Sequence, residues 1–115
     1  MRIGFATDKG RSRASNQDSV LASAEYRCIA VADGLGGHNG GTEASNIAVG
    51  IFAMRCKDAV TLDDFKGILE AANTAIRAQA AEDPDLLGMG TTMTACAVRY
   101  GNALLAHVGD SRAYL

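Results

Sequence analysis

The pattern of apolar and polar positions changes period along the chain, and the changes predict strands, then two helices, then strands again. Residues 2–7 (Arg-Ile-Gly-Phe-Ala-Thr) read as a short strand. Residues 8–18 are polar and carry glycine, serine and asparagine, which predicts a loop. Residues 19–24 and 27–32 read as two strands forming a hairpin with a tight connection at Glu25-Tyr26. The apolar run Cys28-Ile29-Ala30-Val31 then breaks into a loop over residues 33–41 that holds five glycines. Glycine there admits positive φ angles and close backbone approach.

From residue 42 to about residue 57 the period becomes helical. Ala44, Ile47, Ala48, Ile51, Phe52 and Met54 lie on a broad apolar face, which predicts burial on more than one side. A second helix starts at Thr61, a good N-cap, with Asp63 and Asp64 placed to favour the helix dipole. Its stripe is Leu62, Phe65, Leu69, Ala72 and Ile76, and it should stop before Pro84. Beyond Gly88-Met89-Gly90, threonine, valine and tyrosine favour a strand. Gly101-Asn102 reads as a two-residue hairpin turn, residues 103–108 as the returning strand, and residues 111–115 as the start of another. This order predicts a layered α+β fold. Without a linker or an internal repeat, 115 residues make one domain. A strand beginning at residue 111 has little length to pair, and helices this apolar need a covered sheet. The chain is therefore expected to be the front portion of a larger domain.

Composition narrows the function. A net charge of −2 gives no basic footprint for nucleic acid. Arg2, Lys9, Arg11 and Arg13 nevertheless crowd the first residues, as a solvated face or as an anion site. Cys28, Cys56 and Cys96 are far apart and form no C-x-x-C pair, so a zinc knot or redox motif is not expected. Cys28 and Cys96 read as small buried hydrophobes, and free thiols suit a reducing cytoplasm. No signal-peptide h-region and no membrane-length apolar run is evident.

Three polar clusters are candidates for chemistry. In Ala32-Asp33-Gly34-Leu35-Gly36-Gly37-His38 a carboxylate sits where an apolar strand enters a glycine loop. Asp33 and the Gly34 carbonyl suit a hard cation, although aspartate there is also a common turn residue. Asp18 and Asp110 stand at strand ends in the other two clusters, as turn formers or as ligands. Antiparallel strands can gather such ends on one rim. Arg13, ahead of Asp18, is the anion candidate, because its fork makes paired hydrogen bonds to phosphate. Arg112 reads as a brace for Asp110 or a loop. His38 could donate a proton near neutral pH or be a loop histidine satisfied by backbone. His107 reads as a satisfied core or edge residue. The glycine loop lacks a Gly-Lys-Ser/Thr ending and contains no G-x-G-x-x-G, so it is not a nucleotide loop.

Together the motifs resemble the metal-dependent protein phosphatases of the type 2C (PPM) family, especially the compact bacterial members. Residues 6–18 (ATDKGRSRASNQD) look like T-D-x-G-x-x-R-x-x-N-[EQ]-D. Residues 31–38 (VADGLGGH) look like A-D-G-[ML]-G-G-H, followed by Glu43-Ala44-Ser45. Met89-Gly90-Thr91-Thr92 looks like M-G-T-T, and residues 108–114 (VGDSRAY) look like V-G-D-S-R-x-Y. The resemblance implies a four-layer αββα sandwich of antiparallel sheets flanked by helices, about half of it in this chain. It also implies a rim site for two Mg²⁺ or Mn²⁺ ions. By position, Asp33 would bridge both ions, the Gly34 carbonyl would bind one, and Asp18 would act through water with Gln17 nearby. Arg13 would grip the substrate phosphate, and Asp110 would help hold a third, weaker ion. His38 is the proton-donor candidate, although family members that carry a histidine directly after the Asp-Gly pair would use that one, and this chain has Leu35 there. The implied reaction is hydrolysis of phosphoserine and phosphothreonine in proteins, opposing a serine/threonine kinase in the cytoplasm, with neither nucleic acid nor membrane as partner.

The family's catalytic domains are about twice as long as this chain. Their second half carries an S-D-G aspartate and a final D-N aspartate. Without these the isolated chain is expected to bind ions poorly, to be inactive, and to self-associate or lack order. The alternative is a non-enzymatic, phosphatase-like module that binds or regulates a partner.

Overall fold

A computed structural model describes residues 1–114. Its elements follow the order β1 (Asp18–Ser23), β2 (Cys28–Leu35), α1 (Gly40–Arg55), α2 (Leu62–Glu82), β3 (Gly90–Thr91), β4 (Met93–Arg99) and β5 (Asn102–Val108). Short 3₁₀ turns at Cys56–Asp58 and Pro84–Leu86 follow the two helices. The strands form one antiparallel sheet in the order β1-β2-β4-β5, with β3 paired to the end of β2. Both helices pack on one face of it. The chain thus contributes one sheet and one helix pair, two layers of the expected four.

Alternation along β2 explains the layering. Cys28, Ala30 and Ala32 are buried beneath the helices, while Ile29 and Val31 remain 43% and 44% exposed on the other face. Opposite Cys28 and Ala30 in the register stand Ala97 and Ala95 of β4. Ala106 of β5 and Ala44 and Ala48 of α1 extend the same small-residue layer. With so little side chain between them, helix and sheet approach closely. The bulk of the core lies further out, between the helices, where the Phe52 and Phe65 rings sit 5.9 Å apart. Ile29, Val31 and Leu105, all exposed, leave an apolar patch on the opposite face.

Several boundaries differ from expectation. Residues 2–7 pair with no strand, so their backbone gains no ladder and stays irregular. Residues 111–114 are also unpaired, and the expected strand's last residue, Leu115, lies outside the described residues. The first hairpin turns over residues 24–27, between the paired Ser23 and Cys28, rather than tightly at Glu25-Tyr26. The last hairpin turns at Tyr100-Gly101, one position earlier than expected. Both of these residues have positive φ (51° and 79°), as a turn matching the strand twist requires. Helix α1 starts at Gly40, and its face is narrower than its sequence suggests: Ala44, Ser45, Ala48 and Phe52 are buried while Met54 is exposed. On α2, Ile68 is buried in place of Leu62, which is exposed at the first turn.

Arg99 closes the end of the sheet farthest from the glycine loop. Its guanidinium donates to the carbonyls of Ala59 (2.8 Å), Tyr26 (2.8 Å), Val98 (3.0 Å) and Cys56 (2.6 Å). One side chain thus ties β4 to the first hairpin and to the turn after α1. Helix α2 begins with a reciprocal cap. Thr61 Oγ1 accepts from the Asp64 amide, and the Asp64 carboxylate accepts from the amides of Thr61 and Val60, each at 2.9 Å. Those two backbone donors hold the Asp64 carboxyl below its usual value of 3.8. A depressed carboxylate stabilises the fold above its unfolded pKa, and that contribution is lost as pH falls through the folded value. Thr61→Ala should cost about 1 kcal/mol in urea unfolding at neutral pH. The stability difference between wild type and Asp64→Asn should vanish on acidification below the usual carboxylate range; a difference that persists there would contradict this assignment.

Candidate metal and phosphate site

The register of the first hairpin places Asp18 directly opposite Asp33. Asp18 opens β1, where its amide donates to Asn16 Oδ1 (3.0 Å), an Asx turn that converts the polar loop into a strand. Asn16 in turn donates to Thr7 Oγ1 (2.7 Å), which ties the irregular amino-terminal segment to the rim. Burial raises the Asp18 carboxyl above its ordinary value, and the hydrogen bond and charge of Asp33 raise it further, while Arg13 opposes them. Two carboxylates therefore face each other with no ion pair to either; among the described residues the one salt bridge is Lys66–Glu70 on the surface of α2.

Asp33 is held from the far side by Thr92. The Asp33 amide donates to Thr92 Oγ1 (3.0 Å), and the Thr92 amide donates to the Asp33 carbonyl (2.9 Å). Thr92 Oγ1 also contacts Ser111 Oγ at 2.9 Å, and its methyl fills the space where a Cβ on Gly109 would lie. The same threonine thus sets Asp33 and the loop bearing Asp110. Gly34 is fixed from the near side. Its amide donates to the Gln17 carbonyl (3.1 Å), which also accepts from the buried Ser45 hydroxyl of α1 (2.7 Å). A methyl at Gly34 would fall on the Gly41 carbonyl, and one at Gly41 would lie 2.5 Å from Gln17 Oε1. The end of β2, the start of α1 and Gln17 pack with no room for a side chain between them.

A cleft of about 500 Å³ opens at this rim, lined by Arg13, Gln17, Asp33, Gly34, Thr92 and Asp110 among others. It brings together Arg13, Asp33, Gly34 and Asp110, with Asp18 beside it across the hairpin. His38 lies elsewhere, in a separate hollow with Asn39, Glu43, Asp83 and Asp85. Arg112 contacts the Tyr114 hydroxyl (3.3 Å), not Asp110. His107 pairs with Thr94 Oγ1 at 2.8 Å. Among the described residues, no three His, Cys, Asp or Glu side chains form a ready-made cation site. The donor set is nonetheless the kind a hard cation takes: carboxylates without a direct ion pair, beside a backbone carbonyl at a glycine that admits close approach. It fits one side of such a site. Sequence reading gave no role to Thr92 or Ser45. Both lie in stretches that resemble the family's motifs, but their partners are 59 and 28 residues away in the chain, so local spacing gives no role to either.

An antiparallel sheet backed by a helix pair, with carboxylates and an arginine collected at one rim, defines a class that comparison with known proteins identifies. Residues 7–115 match the family model described as Protein phosphatase 2C, and the chain belongs to that family. It is 42% identical over 118 residues to the serine/threonine protein phosphatase PstP of Mycobacterium tuberculosis, covering all of this chain and 23% of PstP. It is 36% identical over 125 residues to the serine/threonine phosphatase Stp of Listeria monocytogenes, covering all of this chain and 50% of Stp. The crystal structure of the PstP catalytic domain in complex with two manganese ions superposes with a TM-score of 0.83 at 42% identity, over 91% of this chain and 46% of that one. The chain thus spans half or less of the length of these relatives, and the sheet with its helix pair is about half of the family's fold.

Two variants test the rim. Gly34→Ala should destabilise the fold by about 3 kcal/mol or more, because the clash is with backbone that cannot rotate away. Thr92→Val should cost about 1–2 kcal/mol by leaving the Asp33 amide unpartnered, and Thr92→Ser should recover most of it. Chemical denaturation measures both; equal losses for the valine and serine variants would show that the hydroxyl does not carry the effect.

Proposed function

We propose that this chain supplies Asp33, the Gly34 carbonyl, Asp18 and Arg13 to a divalent-cation site that hydrolyses phosphoserine and phosphothreonine in proteins. The observation that carries the reading is the opposition of Asp18 and Asp33 across one hairpin, with Arg13 and Asp110 on the same cleft. Mn²⁺ or Mg²⁺, when bound, supplies positive charge that activates water and neutralises phosphoryl oxygens. Asp33 and the Gly34 carbonyl would hold the cations through their oxygens. Asp18, whose proton affinity is raised by burial and by the adjacent Asp33, would orient water at the site. Arg13 holds the phosphate with its planar fork and so positions the ester for in-line attack. Asp110 would help hold a further, weaker ion. His38 provides the leaving-group proton only if the loop over residues 36–39 brings it from its hollow to the cleft. The physiological reaction opposes a serine/threonine kinase in the cytoplasm. No helix among the described residues is long and apolar enough to cross a membrane.

A second reading has its own support. Because the described residues hold no three-acid cluster, the chain by itself would act as a phosphatase-like module that binds or regulates a partner without turnover. The decisive assay is manganese-dependent phosphopeptide hydrolysis by this chain and by a version extended through the downstream reading frame. The extended form should be active, lose activity on chelation and regain it with Mn²⁺. In it, Asp33→Ala should reduce kcat/KM by more than about 100-fold, beyond the range of residues that merely support a ligand. Arg13→Ala should raise KM by roughly 10-fold, as expected for a lost charged hydrogen bond. An extended form that folds, binds phosphopeptide and shows no turnover would favour the binding module.

The exposed Ile29, Val31 and Leu105 face suits association of the 115-residue chain with itself. Size-exclusion chromatography should then show concentration-dependent oligomers, and a compact monomer at high concentration would exclude this.

A further inference from the structure

At the end of β2 opposite Asp33, two cysteines meet that the phosphatase reading does not use. Cys28 Sγ lies 3.0 Å from Cys56 Sγ, and both residues are only 1% exposed. We propose that Cys28 and Cys56 are a redox modification site: on oxidation they form an intramolecular disulfide that staples β2 to the turn after α1.

Geometry carries the proposal. The sulfurs need to close by only about 1 Å to reach the disulfide length of ~2.05 Å. Each backbone is also fixed independently of the thiols. Cys28 stands in the ladder between Ser23 of β1 and Ala97 of β4. The Cys56 carbonyl is held by Arg99 Nη2 (2.6 Å), an arm of the clamp anchored on β4. The chain therefore holds the pair at bonding range whether or not a bond is present, which makes an effective local thiol concentration far above that of a flexible chain. Cys96, half-buried on the sheet's other face, does not take part.

The reaction is thiol–disulfide exchange with a low-molecular-weight disulfide as oxidant. Cys56, in the short turn that closes α1, attacks first as thiolate during local opening. A protein–small-molecule S–S bond forms, the oxidant's own S–S bond breaks, and one small thiolate leaves. Cys28 then loses its proton and attacks Cys56 Sγ, expelling the second small thiolate. Two protein thiols are oxidised by two electrons, one small disulfide is reduced to two thiols, and the two protons pass to the released thiolates. Burial and the neighbouring thiol push Cys28 up to about 12, while the nearby Arg99 guanidinium favours its thiolate. In a reducing environment the same features keep both groups as inert thiols.

The test uses this chain carrying Cys96→Ser, so that one pairing is possible. It is equilibrated with mixtures of reduced and oxidised glutathione, quenched in acid, alkylated and weighed, in native buffer and in strong urea. The native equilibrium should favour the disulfide by about 100-fold or more over the urea value, and the oxidised form should melt roughly 10 °C higher. In the chain with all three cysteines, peptide mapping should find Cys28 joined to Cys56. Equal propensity in native buffer and urea, or a principal bond through Cys96, would overturn the proposal. The readout does not involve hydrolysis, so it stands or falls separately from the phosphatase reading.

Discussion

One oxygen holds the rim together. The Gln17 carbonyl accepts the Gly34 amide from the end of β2 and the Ser45 hydroxyl from the first turns of α1, and the next residue is Asp18. Strand, helix and acidic loop therefore share a single acceptor, and the packing around it leaves no volume for a Cβ at Gly34 or Gly41. The glycines here are fixed by close approach, with backbone lying against backbone. Because that contact is rigid, the Asp18–Asp33 opposition is set by strand register and by the absence of side chains at Gly34 and Gly41.

Thr92 does from the β4 side what Gln17 does from β1. Its amide and hydroxyl bracket Asp33, while its methyl and its contact with Ser111 reach the Gly109–Asp110 loop. Acidic groups donated by three separated stretches of chain are thus positioned by backbone hydrogen bonds and the buried hydroxyls of Ser45 and Thr92. Their mutual repulsion is accepted because the surrounding structure over-determines their places, an arrangement typical of sites that await an opposite charge.

The sheet separates its chemical groups along its length and its two faces across its thickness. One end carries the carboxylates and Arg13; the other carries the Arg99 clamp and the Cys28–Cys56 pair. One face is lined by alanines that let the helices settle closely, and the other presents Ile29, Val31 and Leu105 to the outside. A face of that character, on a chain that covers half or less of its relatives' length, matches the two layers of the sandwich that this chain does not itself contain.

Much of this was legible in the residues alone. The helix N-cap at Thr61, the stop before Pro84 and the two hairpins follow from local chemistry, because caps, turns and periodicity act over a few positions; the glycine loop is shorter than its composition suggests, since β2 runs to Leu35 and α1 starts at Gly40. The four motifs were enough to indicate the family and to single out Asp18, Asp33, Asp110 and Arg13. Tertiary structure decided what local rules cannot reach. Residues 2–7 have strand-like composition but gain no partner, and a strand exists only when another supplies its hydrogen bonds. Leu62 and Met54 fit an apolar helical stripe yet face outward, since only the neighbouring layer determines which part of a stripe is covered. Thr92, Ser45 and the contact between Cys28 and Cys56 depend on residues dozens of positions apart, brought together by strand register and helix placement. The sequence by itself determined the chemical groups and the local elements; the long-range register decided which of those groups meet.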